Sequence, residues 1–466
     1  MFITRPPVDA EWARFQHHAR RVRELCENEC AEFDADKFSD AEEEQALNII
    51  RKSCPRPVFP QLRSLFVSVS GRRPHHIWTL RCETLESLTI HLSRLDSTSE
   101  RILRALPQVV PCLTEVVLVY ADGPYFESTE TRYFEMFLPL RHLRNLRQLT
   151  GTKHPLPLDL IVHLSRADPF NDIELAISPS NIRLWDCPNI GRFLSLSRLT
   201  IKFVEHTYPS EWAAFLCALS AAPLQFISLS FHLSKGHRTA TLPPLFHALG
   251  QFRLLKDCTV SDDSKTAWPW DGEPLSVSSL RPLLQVRSIE RFMLHNLPLK
   301  TSTPFCEELA TALPRLEMLD VSNRDQQLLP EHSMPLEDLA HLVARCPRLE
   351  DVAVYCAPIP AGWSFTDPYP DAPSSRLACL TVKTDDMPSE AESQVCALFI
   401  RYFPNASQSS DRCYCLHDVV VWPGSIEAYQ SYMTMVYQEM EDDERRREEA
   451  DEEDWYDQRR RQGYWM

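Results

Sequence analysis

Glycine is scarce in this sequence, with ten in 466 residues, while proline is abundant at 36. No G-x-G-x-x-G and no P-loop pattern occurs, so the loops that let backbone amides close around a phosphate lack their raw material. C-x-x-C pairs are absent too. The 15 cysteines are scattered, often at apolar positions such as Cys217, Cys258 and Cys306, and the nearest pair is Cys413-Tyr414-Cys415. One C-x-C falls short of a metal-ligand set, so these residues read as buried structural thiols. No H-E-x-x-H or G-x-S-x-G motif is found. The pairs His17-His18 and His75-His76 lack the spacing and flanking acids of a metal site. These absences leave no cofactor, no metal and no catalytic residue to nominate.

Long apolar runs are also missing. No stretch approaches the length of a membrane span, and the start MFITRPPVDAEW lacks the basic region and apolar run of a signal peptide. With scattered, unpaired thiols, this predicts an intracellular protein, cytoplasmic or nuclear, without a membrane partner. Basic excess is lacking as well. The net charge of -16 argues against nucleic acid as a partner, because such binders carry a basic footprint.

What the chain does have is a recurring unit, clearest at Pro335 to Ala357, PLEDLAHLVARCPRLEDVAVYCA. Leu336, Leu339, Leu342 and Val343 have helical spacing. Leu349, Val352 and Val354 follow L-x-x-L-x-V, whose last two positions alternate as in a strand, and Cys346-Pro347 separates the two periods. The same core occurs at Leu62-Leu65-Val67, Leu85-Leu88-Ile90, Leu113-Val116-Leu118, Leu196-Leu199-Ile201 and Leu224-Ile227-Leu229. Leu255-Cys258-Val260, Ile289-Phe292-Leu294, Leu316-Leu319-Val321 and Leu377-Leu380-Val382 continue it, with weaker copies near Leu146-Leu149 and at Leu175-Ile177. These make about twelve units with a mean period of ~29 residues. Apolar helical segments sit between many of them, such as 101–106, 212–219, 305–313 and 395–403. A proline often closes the helix, as at Pro107, Pro223, Pro314 and Pro347. No such unit covers its own apolar face, so the units must stack.

The predicted fold is therefore an α/β leucine-rich-repeat solenoid, a horseshoe of irregular repeats with parallel strands on the concave face and helices on the convex face. Residues 1–52 read as an N-terminal helical linker or cap, 53–425 as the solenoid, and 426–466 as a cap helix with a charged tail. In the first segment Asp9 is placed as the cap of a helix carrying Trp12, Phe15, Ala19, Val22 and Leu25. In the last, Ile426, Tyr429, Met433, Val436 and Met440 have helical spacing, and residues 439–454 are almost wholly charged.

The repeats resemble the degenerate, irregular kind of leucine-rich repeat. The start, Arg5-Pro6-Pro7-Val8-Asp9-Ala10-Glu11-Trp12-Ala13-Arg14-Phe15 followed by 19–25, resembles the segment joining F-box to repeats in fungal F-box/leucine-rich-repeat proteins. That resemblance implies the substrate-receptor part of an SCF-type ubiquitin ligase, recognising a target protein with the concave face. An adaptor subunit is an implied partner only with an F-box ahead of Arg5, where this chain has four residues. The pattern also departs from regular repeats. The place three residues after the last strand position, normally Asn or Cys, holds Ser70, Ser93, Ala121, His232, Asp263, Leu297, Arg324, Ala357 and Asp385, so no asparagine ladder forms.

Stacked strands expose the residues that alternate with the buried ones. Those outward positions include Thr89 and His91, Val117 and Val119, Thr200 and Lys202, Ser228 and Ser230, Thr259 and Ser261, Met293 and His295, Asp320, Ala353 and Tyr355, and Thr381 and Lys383. A small, hydroxyl-rich strip suits an extended protein surface better than a small-molecule pocket. The candidate binding residues are His91, Lys202, His295, Asp320, Tyr355 and Lys383 on the strands. Trp268 and Trp270 in one insertion and Trp363 and Phe365 in another complete the set, because Trp dominates interface hot spots. These aromatic loops either reach a partner or fold back over the solenoid edge. The expectation is a monomeric, non-catalytic interaction scaffold. A hydrolase assembled from dispersed residues, or a structural paralogue without ligase docking, is the alternative.

Overall fold

The computed structural model describes residues 7–26, 49, 52–53, 58–69, 83–92, 95–120, 135–152, 156–177, 193–203, 209–231, 242–263, 274–297, 299–301, 303–321, 334–356, 363–364, 379–383, 398 and 419–421. They fall into two compact units, residues 1–273 with 278–289, and residues 274–277 with 290–466.

In the first unit α1 (Asp9–Ala19) precedes β1 (Glu24–Cys26), β2 (Ser64–Val69) and β3 (Ser87–Leu92). Then come α2 (Ser97–Val109), β4 (Glu115–Tyr120), a short 3-10 helix η1 (Leu138–His142), β5 (Gln148–Thr150), α3 (Leu158–Ser165), β6 (Asp172–Ile177) and β7 (Arg198–Phe203). The unit is completed by α4 (Pro209–Ala218), β8 (Phe226–Phe231), α5 (Leu242–Leu249), β9 (Asp257–Asp262) and all but the first residue of α6 (Val277–Leu284). Strands β1 to β9 pair in chain order, each parallel to the next. The second unit holds β10 (Arg291–His295), α7 (Thr303–Ala312), β11 (Met318–Val321), α8 (Glu337–Arg345), β12 (Asp351–Tyr355), β13 (Cys379–Lys383) and β14 (Val419–Val421). Strands β10 to β13 are parallel, and β14 pairs antiparallel with β13.

The repeat pattern sets the register. Leu65, Leu88, Val116, Leu149, Ile173, Leu199, Ile227 and Cys258 are aligned partners across β2 to β9, and all are at most 2 % exposed. Phe292, Leu319 and Val352 do the same in the second unit, and Leu380 continues their row by backbone register. A one-residue slip would turn every one of these rows to the other face, so burial on one side locks the register. The weak copy at Leu175-Ile177 is shifted: Ile173 pairs with Leu199 and Leu175 with Ile201, so its core is Phe170-Ile173-Leu175. Phenylalanine at the first position hid that alignment.

Ahead of each core leucine lies a second anchor, the position that closes a three-residue turn. The N–H of Leu113 bonds Val110 O, Leu146 bonds Leu143 O, Leu196 bonds Phe193 O, Leu255 bonds Phe252 O, Leu316 bonds Leu313 O and Leu349 bonds Cys346 O, at 3.0–3.3 Å. All six acceptor residues are buried. This turn explains the prolines. Pro111, Pro314 and Pro347 stand at the residue after the anchor, where a fixed φ helps and no N–H is needed. Pro107 instead lies inside α2 and closes nothing.

After the turn, one carbonyl at the start of strands β1 to β8, β10 and β11 accepts two successive N–H groups from the next repeat. Glu86 O takes Thr114 N and Glu115 N (2.8 and 2.9 Å), Gln225 O takes Lys256 N and Asp257 N (2.8 and 2.9 Å), and Glu317 O takes Glu350 N and Asp351 N (2.8 and 3.1 Å). Hydroxyls reinforce the same edge. Thr114 Oγ1 donates to Glu86 O (3.0 Å), Ser197 Oγ to Asn171 O (3.2 Å) and Ser288 Oγ to Leu255 O (2.7 Å). Threonine and serine at the strand starts thus do part of the work of an asparagine ladder, at the opposite end of the strands.

The helices bury one face each. In α2, Asp96 accepts from Thr98 N and Ser99 N (both 2.9 Å) and caps the first turn, while Ile102, Leu103, Leu106 and Val109 are buried. Trp212 of α4 stacks on Phe203 (4.0 Å, 14°) and tilts against Phe231 (4.7 Å). At the N-terminus two expectations change. Helix α1 ends at Ala19, and Leu25 belongs to β1, which pairs with β2 inside the segment read as a helical cap. Asp9 is the first helical residue rather than the cap; Val8 holds that place, and its N–H donates to Glu11 Oε2 (2.9 Å). Trp12 and Phe15 pack with Val58 and Phe59. The cap helix expected at 426–440 and the charged tail lie outside the described residues.

Gly151 follows β5 with φ +76°, and a Cβ there would sit 1.9 Å from Leu118 O. We expect Gly151→Ala to lower unfolding free energy by more than ~2 kcal/mol in urea titration, since the backbone must shift. Thr114→Val, which removes one supplementary hydrogen bond, should cost about 1 kcal/mol. Equal effects would contradict this account of the turn.

Candidate functional site

Alternation along the strands leaves one face of each sheet open. In the first unit Phe66, Thr89 and Val117 align in one row, and Glu174, Thr200, Ser228 and Thr259 in another. Farther along the strands His91 aligns with Val119, and Ala176 with Lys202, Ser230 and Ser261. In the second unit Met293, Asp320, Ala353 and Thr381 share a row, and Tyr355 aligns with Lys383. The short serine and threonine side chains keep the face shallow. Half-burial of most of these residues reflects flanking strands.

A polar cluster on this face centres on Glu174, which sequence reading passed over because its repeat was misaligned. Its Oε2 accepts from Gly151 N (2.7 Å), its Oε1 meets Lys202 Nζ (2.5 Å), and its backbone carbonyl accepts from Thr152 Oγ1 (2.5 Å). Burial, then the nearby Glu174 charge, pushes the Tyr120 phenol far above its ordinary range and keeps it neutral. Two residues earlier along these strands, Arg198 lies 3.6 Å from Asp172 and 4.3 Å from the centre of the Phe226 ring. Burial raises the Asp172 pKa despite Arg198. At the far side of the unit Asp263 accepts from Ser261 Oγ (3.1 Å) and from Ser230 Oγ. Lys202 is thus held by Glu174 on this face, while His91 stands a few strands away and half-buried.

In the second unit His295 and Asp320 come together, with Nδ1 3.5 Å from Oδ2 and side-chain exposures of 22% and 14%. The residues aligned with Asp320, Met293 and Ala353, offer no nucleophile. Tyr355 and Lys383 are neighbours across β12 and β13 by backbone register. Trp363 is half-buried, and its indole N–H donates to Glu337 Oε1 at the start of α8. Of the two options for that loop, folding back is the one this residue takes. Trp268, Trp270 and Phe365 lie outside the described residues.

Cysteine chemistry finds little support among the described residues. Burial pushes the Cys258 and Cys356 thiols far up, and Cys346 up to about 11. Cys306 is raised by burial and then by Asp338, itself buried beside it. No group of three or more His, Cys, Asp or Glu among the described residues could hold a metal ion. No described helix is long and apolar enough to cross a membrane.

This geometry defines a class: each unit is an α/β leucine-rich-repeat solenoid, with parallel strands stacked one per repeat and helices behind them. No family model and no curated protein matches the chain. Among solved structures it is similar to an internalin, InlF, from Listeria monocytogenes str. 4b F2365, at 12% identity and a TM-score of 0.35 over 74% of this chain and 89% of that one. It is also similar to TLR13 in its complex with ssRNA13, at 14% identity and a TM-score of 0.28 over 72% of this chain. The chain spans 58% of that second protein.

Thiol labelling checks the burial. Brief iodoacetamide treatment of the folded chain at pH 8 should modify the exposed Cys26 and Cys112 and spare Cys258, Cys306, Cys346 and Cys356 until denaturant is added. Native labelling of the second group at a comparable rate would contradict these positions.

Proposed function

We propose that this chain is a non-catalytic protein-interaction scaffold that holds a target protein against the open strand face. The observation that carries the reading is the alignment of short hydroxyl side chains, Thr200, Ser228 and Thr259 with Ser230 and Ser261 beside them, into a shallow strip several strands wide. A strip of this kind offers area and adaptable hydrogen bonding without a cavity. His91, Lys202, His295 and Asp320 add the larger polar groups. Their partners within the chain place them in fixed positions, which lowers the ordering cost of binding.

The narrower reading is that of a substrate receptor in an SCF-type ligase. Its support is the resemblance of residues 5–25 to the linker of fungal F-box/leucine-rich-repeat proteins. Co-expression of the ligase adaptor subunit with this chain and with a version extended upstream of Met1 tests that link alone: recovery of a stoichiometric complex with the extended version supports it, and no recovery with either removes it.

The scaffold reading is tested by site-specific photocrosslinking in cells. A photoreactive residue at Ser228 should give discrete adducts with one or a few proteins, and the same residue at exposed Ala214 on α4 should not. Replacing Thr200 and Thr259 by arginine should abolish the Ser228 adducts. Adducts of equal yield from both positions, or none from Ser228, would overturn the choice of face.

A further inference from the structure

The first sheet begins with an unfinished repeat. Ala19, Val22 and Leu25 reproduce the turn and core of the units that follow: the N–H of Val22 bonds Ala19 O as that of Leu62 bonds Phe59 O (both 3.2 Å), and Leu25 aligns with Leu65. Their burial differs. Leu62 and Leu65 are 0% and 2% exposed, while Val22 and Leu25 are only half-buried. An inner repeat is covered by neighbours on both sides, but among the described residues β1 pairs with β2 alone. The N–H of Ser64 goes to Arg23 O, so the backbone groups of Arg23 and Leu25 face β2. Alternation along a parallel strand then turns the N–H and C=O of Glu24 and Cys26 toward the open edge.

This edge is also charged. Arg20, Arg21 and Arg23 stand exposed between α1 and β1, against a single acid, Glu24, within 20–26. Among the described residues none of the three has a carboxylate partner, and Arg21 Nη2 lies 3.3 Å from His17 Nε2. The end of α1 favours cations, which accounts for Arg20 and Arg21 but not for Arg23 beyond it. We propose that the β1 edge docks an acid-rich extended segment of a partner protein, at a surface separate from the open strand face. The segment adds a strand beside β1 through Glu24 and Cys26, covers Leu25 with an apolar side chain and sets its carboxylates against Arg20, Arg21 and Arg23. A second copy of this edge fits less well, since its arginines would meet these. A nucleic acid supplies neither a strand nor a cover for Leu25.

The test uses the full chain and a fluorescein-labelled nonapeptide in which leucine alternates with aspartate and glutamate, followed by anisotropy at low ionic strength. The parent should bind it. Arg21→Glu with Arg23→Glu should weaken binding at least about tenfold. Arg253→Glu with Arg287→Glu, the same charge change at exposed turn residues ahead of β9 and β10, should cost less than about threefold. Cys26→Pro removes one outward N–H and leaves the ladder to β2 in place, so it should weaken binding at least about fivefold while the thermal midpoint holds. In the unaltered chain, bound peptide should slow iodoacetamide labelling of Cys26 at least about fivefold and leave that of Cys112, exposed ahead of β4, unchanged. Absence of binding, equal loss in the two arginine variants, no protection of Cys26, tighter binding of an octathymidine, or a sedimenting dimer of the parent that Cys26→Pro dissociates would each overturn the proposal. None of these outcomes bears on the strand face, whose crosslinks are read independently.

Discussion

Everything in this molecule depends on how one repeat fixes the next. A single backbone carbonyl at the start of strands β1 to β8, β10 and β11 accepts two N–H groups from the successor, as Arg63 O does for Glu86 and Ser87, and Ser197 O for Gln225 and Phe226. Buried backbone groups must be paired, and this edge is where strand, turn and helix would otherwise leave orphans. The arrangement needs no particular side chain. It tolerates Arg, Glu, Thr, Asn, Ser and Gln at the bonding residue, which is why the repeats look so irregular while the strands align so regularly.

Side chains then choose the faces. The aligned leucines and their replacements commit one face to burial, each worth roughly 1.5–3 kcal/mol when fully buried. The opposite face is free to vary, and it carries small hydroxyls with ion pairs set among them. Glu174 shows how the two levels connect. Its carboxylate ties the left-handed Gly151 after β5 to Lys202 of β7, so a feature of the turn becomes a fixed charge arrangement on the open face.

The strand positions were legible in the sequence because burial has a period of two and leucine repeats at fixed offsets. Every one of the twelve cores lies on a strand, and only the Phe170-Ile173-Leu175 copy was misaligned, since its first residue is not a leucine. Other features were not legible, for reasons of physics. The strand β1 has a single apolar residue, Leu25, which fitted a helical period equally well. Pro107 reads as a helix stop but is accommodated within α2, where tertiary burial of Ile102, Leu106 and Val109 overrides local preference. The pairing of His295 with Asp320 and of Lys202 with Glu174 joins residues separated by a whole repeat, and no local pattern announces such pairs. Trp363 could be recognised as a large group in a loop, but its engagement with Glu337 depends on where α8 lies.

Hydrogen exchange read by mass spectrometry tests the central claim most directly. If the shared carbonyls couple successive repeats, the strand-start amides of Ser87, Glu115, Gln148, Asp172, Arg198, Phe226 and Asp257 should be protected together and exchange far more slowly than exposed turn amides such as Arg144 and Leu254. Exchange of the strand starts as fast as the turns would contradict it.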